Sequence, residues 1–255
     1  MTTWILLRGL TREAGHWGSF RHRLAQQAGG QDAVIALDLP GNGVLHGKAS
    51  PASVPYMARA CRAELARRGV APPYVLVAMS LGAMVALDWC HEAPVEVAGC
   101  VLINTSARGQ GWFWQRLRPR NYASLLGLLR PGLPALQRET AILGMTSSDP
   151  ARHAGVAAQW AAMAISRPVR WQNALRQLLA AARYVPPVGR PGMPMLLLAS
   201  EDDTLVSVQC SRDIAARWEL PLQVHPHAGH DLPLDDPGWV LAQLGAWCVS
   251  CRADS

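Results

Sequence analysis

The chain has 255 residues, half of them hydrophobic, which is enough to bury one large core, and α/β chains of this length commonly fold as a single unit. Its net charge of +6 could meet an anionic partner, but no basic run alternates with aromatics, which argues against nucleic acid. No stretch of about eighteen residues lacks polar side chains, and Met1 to Arg8 carries no basic leader, so we read a cytoplasmic protein without secretion signal or membrane span.

In chain order, short apolar runs of strand character alternate with helical patterns. A strand at 4–7 is followed by one at 33–37. The segment 53–68 has apolar residues at Val54, Met57, Ala58, Cys61 and Leu65, close to a 3.6 period, and Gly69 ends it. A strand at 74–78 leads straight into a helix at 81–91, with Pro94 just past its end. A fourth strand at 100–103 precedes a long break in the rhythm, from Ser106 to Gly192. Helical patterns at 121–129, 136–144, 151–165 and 169–184 fill that break, limited by Pro119, Pro131, Pro134, Pro150 and Pro168. Strands at 195–199 and 222–224 and a last amphipathic helix at 237–248 complete the chain. Six strands separated by helices predict an α/β fold with a mostly parallel sheet covered on both faces. A segment of about ninety residues is too long for a plain crossover, so 106–192 is expected to be a helical lid inserted into a core of 1–105 and 193–255.

Six cysteines stand mostly in apolar context, which fits reduced thiols better than a disulfide framework. Cys248 and Cys251 form a CxxC at the end of the last helix, not at a helix start where a redox pair gains a low thiol pKa. Of the 24 basic residues only Lys48 is lysine, so arginine abundance alone carries little functional weight.

The candidate chemistry lies at three strand ends. Tyr74 to Met84 runs from strand through a sharp turn into helix, and Ser80 occupies the turn with Ala78 and Gly82 as its small neighbours. A serine hydroxyl becomes a strong nucleophile only beside a base, which needs an acid to orient it. After the fifth strand come Glu201, Asp202 and Asp203; after the sixth come His225, His227 and His230. Asp203 is the first choice, preceding the Thr-Leu-Val entry to the next helix, with Asp202 and Glu201 as alternatives. His230 follows Gly229, whose freedom allows a tight loop, and is preferred to His225 and His227. His16, His22, His46, His91 and His153, lacking matched acidic partners in the sequence, read as surface or packing residues.

With Leu6-Leu7-Arg8-Gly9-Leu10, Asp38-Leu39-Pro40-Gly41-Asn42-Gly43, the Ser80 turn, Asp203 before Thr-Leu-Val and Ala-Gly-His230-Asp-Leu-Pro, the chain resembles the α/β-hydrolase superfamily, particularly small lidded serine esterases. The resemblance implies Ser80 as nucleophile, His230 as base and Asp203 as acid. It also implies oxyanion donors in the Leu10 and Leu81 backbone N–H groups, a small ester as substrate, and no cofactor or metal. Three residues depart from the family pattern: Arg8 replaces a histidine, Asn42 another, and Ala78 a glycine. Serine at position 80 argues against haloalkane dehalogenases and epoxide hydrolases, which use aspartate there. Trp112, Phe113, Trp114, Leu125, Leu126 and Leu128 are candidates for lid core or, alternatively, an acyl pocket. Arg116, Arg118, Arg120, Arg130 and Arg138 are candidates for an anionic group. A narrower similarity to the methyl ester esterase of biotin synthesis would make an acyl carrier protein the partner of those arginines. Thioester hydrolases, triad-dependent lyases and non-catalytic receptors of the same fold remain alternatives.

Overall fold

The computed structural model describes residues 3–30, 33–109, 112–128, 130 and 132–253. Met1, Thr2, Leu129 and Pro131, used in the sequence reading, lie outside them. In chain order the elements are β1 (Thr3–Leu7), α1 (Gly18–Ala28), β2 (Val34–Leu37), α2 (Val54–Arg67), β3 (Tyr74–Met79), α3 (Leu81–Glu92) and β4 (Val97–Ile103). Among the described residues, α4 (Phe113–Arg116), α5 (Tyr122–Leu128), α6 (Ala135–Thr146), α7 (Ala154–Ser166) and α8 (Trp171–Arg183) follow before the sheet resumes. The chain closes with β5 (Met195–Ser200), α9 (Val208–Trp218), β6 (Leu222–His225), α10 (Leu232–Asp235) and α11 (Pro237–Ala253).

All six strands are parallel, in the order β2-β1-β3-β4-β5-β6. Strand side chains alternate between faces. Ile5, Leu7, Leu76, Ala78, Leu102 and Leu197 join the core formed with α2, α3 and α9, while Leu6, Val77, Met79, Val101 and Leu198 join that formed with α1 and α11. Burial on both faces is why these strands read in sequence as continuous apolar runs. The chain moves outward from β1 to β2, then crosses back to β3 and continues the other way. This reversal opens a crevice at the carboxyl ends of β1 and β3, where open α/β sheets bind ligands.

Gly82 sets how closely α3 approaches that crevice. A Cβ there would lie 2.5 Å from the Leu7 carbonyl oxygen and 2.6 Å from that of Arg8. Only hydrogen lets the first turn of α3 sit against the end of β1.

Among the helices between β4 and β5, Leu143, Ala157 and Trp160 form a small core, with Leu234 of α10 packed against it. The aromatic and leucine stripe does not supply that core. Trp112 is 65% and Leu126 67% exposed, and the Trp112 and Trp114 rings stack on one another at 4.9 Å. A one-turn helix such as α4 has too little length to bury a face, so the indole of Trp114 and that of Trp112 just before the helix cover each other. The face that α8 buries is partly polar, with Asn173, Gln177 and Ala180, and apolar periodicity misses such a face. Among the described residues no helix is long and apolar enough to cross a membrane.

Gly82→Ala is expected to lower unfolding stability by about 1–3 kcal/mol through overpacking. Gly144→Ala, whose added Cβ meets nothing within 4 Å, is expected to raise it by about 0.5–1 kcal/mol. Urea midpoints of the two variants check the contrast, and an unperturbed Gly82→Ala would refute the close approach.

Candidate active site

Ser80 sits between β3 and α3 at φ 55°, ψ −120°. A non-glycine residue there carries about 1–3 kcal/mol of strain and persists only where its surroundings hold it. They do so through the backbone. The Ser80 amide donates to the Ile103 carbonyl at 2.9 Å, and its own carbonyl accepts the Thr105 hydroxyl at 3.1 Å and the Ala83 amide at 3.0 Å. Gly9, at the end of β1, faces the serine: a Cβ on it would come 3.0 Å from Ser80 Cβ and 3.4 Å from Oγ. Among the described residues Ser80 Oγ makes no hydrogen bond, to His230 or to any other group.

Asp203 and His230 meet directly. The His230 Nδ1–H donates to Asp203 Oδ2 at 2.7 Å, both side chains being buried. The other carboxylate oxygen accepts the Leu205 and Val206 amides at 2.8 and 2.9 Å, so the carboxylate is held by its own turn as well as by the imidazole. An acceptor at Nδ1 fixes the tautomer that leaves Nε2 able to accept a proton. The competing residues are engaged elsewhere. Glu201 pairs with Arg212 at the surface, Asp202 lies 3.9 Å from exposed His227, and His225 pairs with Asp236. Asn104, itself at φ 44°, donates to the His230 carbonyl at 2.8 Å and to Ser200 Oγ at 3.0 Å, joining the base loop to the end of β5.

Arg8, a departure from the family pattern, has a partner that the sequence did not reveal. Its guanidinium grips Asp231, the residue after His230, through two bonds of 3.0 and 2.5 Å, with 3% and 2% of the two side chains exposed. It also lies 5.0 Å over the Trp17 ring. The pair ties the end of β1 to the base loop across a separation of 223 residues. Burial pushes the His230 pKa down, but the charge and hydrogen bond of Asp203 and then the charge of Asp231 push it up, with Arg8 opposing; the net effect is upward.

His153, read from the sequence as a surface or packing residue, packs with its Nε2 3.5 Å from an Asp235 carboxylate oxygen and makes no hydrogen bond to it. Asp235 is a further residue the motifs missed. It accepts the Gly229 amide at 2.7 Å, the Ser147 hydroxyl at 2.6 Å and the Ser148 amide at 2.9 Å, binding the base loop to the end of α6. The cue available in sequence was only an acid at the start of the last helix, which reads as a cap. Arg116, one of the five candidate anion-binding arginines, is committed to the Ala181 and Ala182 carbonyls at the end of α8, at 2.6 and 3.0 Å.

Leu10 follows Gly9 on the loop after β1, and Leu81 follows Ser80 as the first residue of α3. Among the described residues neither amide donates to another backbone or side-chain group. No cluster of three or more His, Cys, Asp or Glu among them could hold a metal ion.

Residues 4–243 match the profile of the Alpha/beta hydrolase family. A thermophilic esterase from Thermogutta terrifontis superposes with a TM-score of 0.77 at 20% identity, over 98% of this chain and 90% of that one. An esterase from Rhodococcus sp. gives 0.78 at 21% identity, over 98% and 91%. A hydrolase from Pseudomonas aeruginosa gives 0.76 at 18%, over 97% and 89%. At such identities the likeness is one of fold. No curated protein sequence matches the chain significantly.

The buried pair predicts a charge effect on His230. Asp231→Asn leaves Arg8 unbalanced, so the His230 pKa falls, and stability drops by about 3–5 kcal/mol as for a broken buried pair. Arg8→Met added to Asp231→Asn removes the stranded charge and returns both quantities toward wild type. Imidazole titration by NMR and urea unfolding measure them; a His230 pKa indifferent to Asp231→Asn would contradict the assignment.

Proposed function

The chain belongs to the alpha/beta hydrolase family, and we propose that it is a serine hydrolase that cleaves carboxylic esters through an acyl-enzyme on Ser80. The observation that carries this reading is the buried 2.7 Å Asp203–His230 hydrogen bond, in a fold whose β3–α3 turn holds a serine at φ 55°. A strained turn that lifts a serine from the sheet end, together with an acid-oriented imidazole, supplies the parts for nucleophilic acyl transfer.

In this mechanism Ser80 Oγ attacks the ester carbonyl carbon while its proton passes to His230 Nε2. The carbonyl oxygen becomes an oxyanion held by the Leu10 and Leu81 amides, as backbone donors hold it in related chemistry. The tetrahedral intermediate collapses, the C–O bond breaks, and the leaving alcohol takes the proton from His230. Water then attacks the acyl-enzyme with His230 again as base, returning Ser80 and releasing the acid. Asp203 keeps the imidazole in the reactive tautomer and stabilises its cation. The serine–histidine hydrogen bond of such sites commonly tightens only with substrate in place, which is compatible with the unbonded Ser80 hydroxyl. The same reading makes residues 106–192 a lid over a core of 1–105 and 193–255, bordering the acyl site.

Neutral His230 is the working base, so kcat/KM falls as pH drops through its pKa, and because that pKa is raised the acid limb lies above the ordinary imidazole value. The test is hydrolysis of p-nitrophenyl esters from acetate to palmitate. Saturable turnover is expected in the wild type. Ser80→Ala should lower kcat by roughly 10⁶-fold and Asp203→Asn by roughly 10⁴-fold. Turnover that survives Ser80→Ala rules out Ser80 as nucleophile, and a folded wild type inert to every ester and to fluorophosphonate labelling points to a receptor.

A further inference from the structure

Thr11 is β-branched yet sits at φ 56°, a left-handed conformation in which a branched side chain crowds its own backbone. It occupies the third position of a turn closed by the Arg12 amide on the Gly9 carbonyl at 3.2 Å, where turns with positive φ favour glycine or asparagine. That turn runs from Gly9, which lies against the Ser80 side chain, through Leu10, the residue read as an oxyanion donor. Strain of this kind persists where neighbouring groups over-determine the backbone. Two buried amide side chains do so here.

Gln177, fully buried on α8, accepts the Thr11 amide on Oε1 at 2.9 Å. Its Nε2 donates to Asn42 Oδ1 at 2.8 Å and to Ser50 Oγ at 2.9 Å, so both ends of the amide are occupied. Asn42, equally buried, donates from Nδ2 to the Arg12 carbonyl at 2.9 Å. The two side chains bond each other and between them hold the amide of Thr11 and the carbonyl of Arg12, on either flank of the strained residue. The Asp38–Gly43 turn that presents Asn42 is itself tied to the same region. Asp38 accepts the Ala14 amide at 2.6 Å and the Val44 amide at 2.9 Å.

We propose that Gln177 and Asn42 are positioning residues that brace the Gly9–Arg12 turn in its strained form, and so set the Leu10 amide beside Ser80 for the transition state. The inference rests on the serine-hydrolase reading. It assigns helix α8, 166 residues from the turn, a part in the chemistry that contact with substrate would not provide. It also gives Asn42, where the family resemblance led us to expect histidine, a specific task. Without the brace, Thr11 relaxes to negative φ, the turn re-forms, and the amide no longer meets the developing oxyanion.

The test uses Gln177→Met, which keeps much of the side-chain volume and removes the hydrogen bonds of the amide. Loss of one oxyanion donor costs about 10²–10³-fold in kcat, so a fall of about 10²-fold is expected, with KM within about threefold of wild type. Affinity for a trifluoromethyl ketone, which presents an oxyanion, should fall in parallel with kcat. Adding Thr11→Gly, which accepts φ 56° without strain, should recover about tenfold or more. A purely structural Gln177 would lower the melting temperature while kcat and ketone affinity stayed at wild-type values, and that result overturns the proposal. Should Gln177→Met not fold, Asn42→Ala severs the Arg12 side of the brace: the same selective kcat loss supports the proposal, and wild-type kcat overturns it. An inert wild type that fluorophosphonate does not label overturns the serine-hydrolase reading and this inference with it; an active, labelled wild type beside an unaltered Gln177→Met overturns the brace alone.

Discussion

Parallel strands deliver their following loops to one edge of the sheet, and every candidate group of this protein depends on that constraint. The loops after β1, β3, β5 and β6 carry Gly9 and Leu10, Ser80, Asp203 and His230 respectively. Because β1 and β3 are neighbours and the chain reverses direction between them, the first two loops face each other across a crevice. Gly82 makes that approach possible, since a side chain there would collide with the end of β1, and a Cβ on Gly9 would crowd Ser80. β5 and β6 pair directly, with Ser200 opposite His225, which places the loops that follow them close enough for Asp203 to bond His230.

Loops gathered at a sheet edge bring unpaired backbone groups and charges into a crowded space, where each needs a partner. The helices between β4 and β5 supply many of them. The Met145 carbonyl accepts the hydroxyl of Thr204, next to Asp203, and the Thr146 carbonyl accepts the amide of Asp231, next to His230. Gly229 must lack a side chain because its Cβ position lies 2.7 Å from the Thr146 carbonyl oxygen and the Ser148 amide nitrogen. Asp235 and Gln177 complete the set from opposite sides of the interface. The helices between β4 and β5 are thus fastened to the loops of Asp203, His230 and Leu10 alike. Such buried polar contacts are unforgiving, because removal of one partner strands the other.

Backbone strain is concentrated at the same edge. Of the four described non-glycine residues with positive φ, Thr11, Ser80 and Asn104 follow β1, β3 and β4, and only Glu219 lies elsewhere, closing α9. Each of the three is bonded on both flanks. The Arg8–Asp231 pair adds a fixed electrostatic balance: a lone buried carboxylate beside His230 would raise its proton affinity further, and a lone guanidinium would lower it. Geometry and charge at the His230 loop are therefore set by a pairing, Arg8 with Asp231, that neither motif segment records.

From the sequence alone one could determine the six strands, since two covered faces leave continuous apolar runs in the inner ones, and the turn at Ser80, since only small neighbours permit it. One could also narrow the candidate acid and base to two short loops, with Asp203 and His230 preferred to close competitors. The contact between those two residues was decided by the sheet order that sets β6 beside β5. The same holds for Arg8 with Asp231 and Gln177 with Thr11, separated by 223 and 166 residues. The burial of Asn173 and Gln177 ran against the apolar periodicity used to find helix faces, and the exposed Trp112 and Leu126 ran against it in the other sense. Periodicity and turn chemistry record what a residue needs from its neighbours along the chain. Which polar group a buried side chain meets depends on which loops the fold brings together, and that information exists only once the sheet has formed.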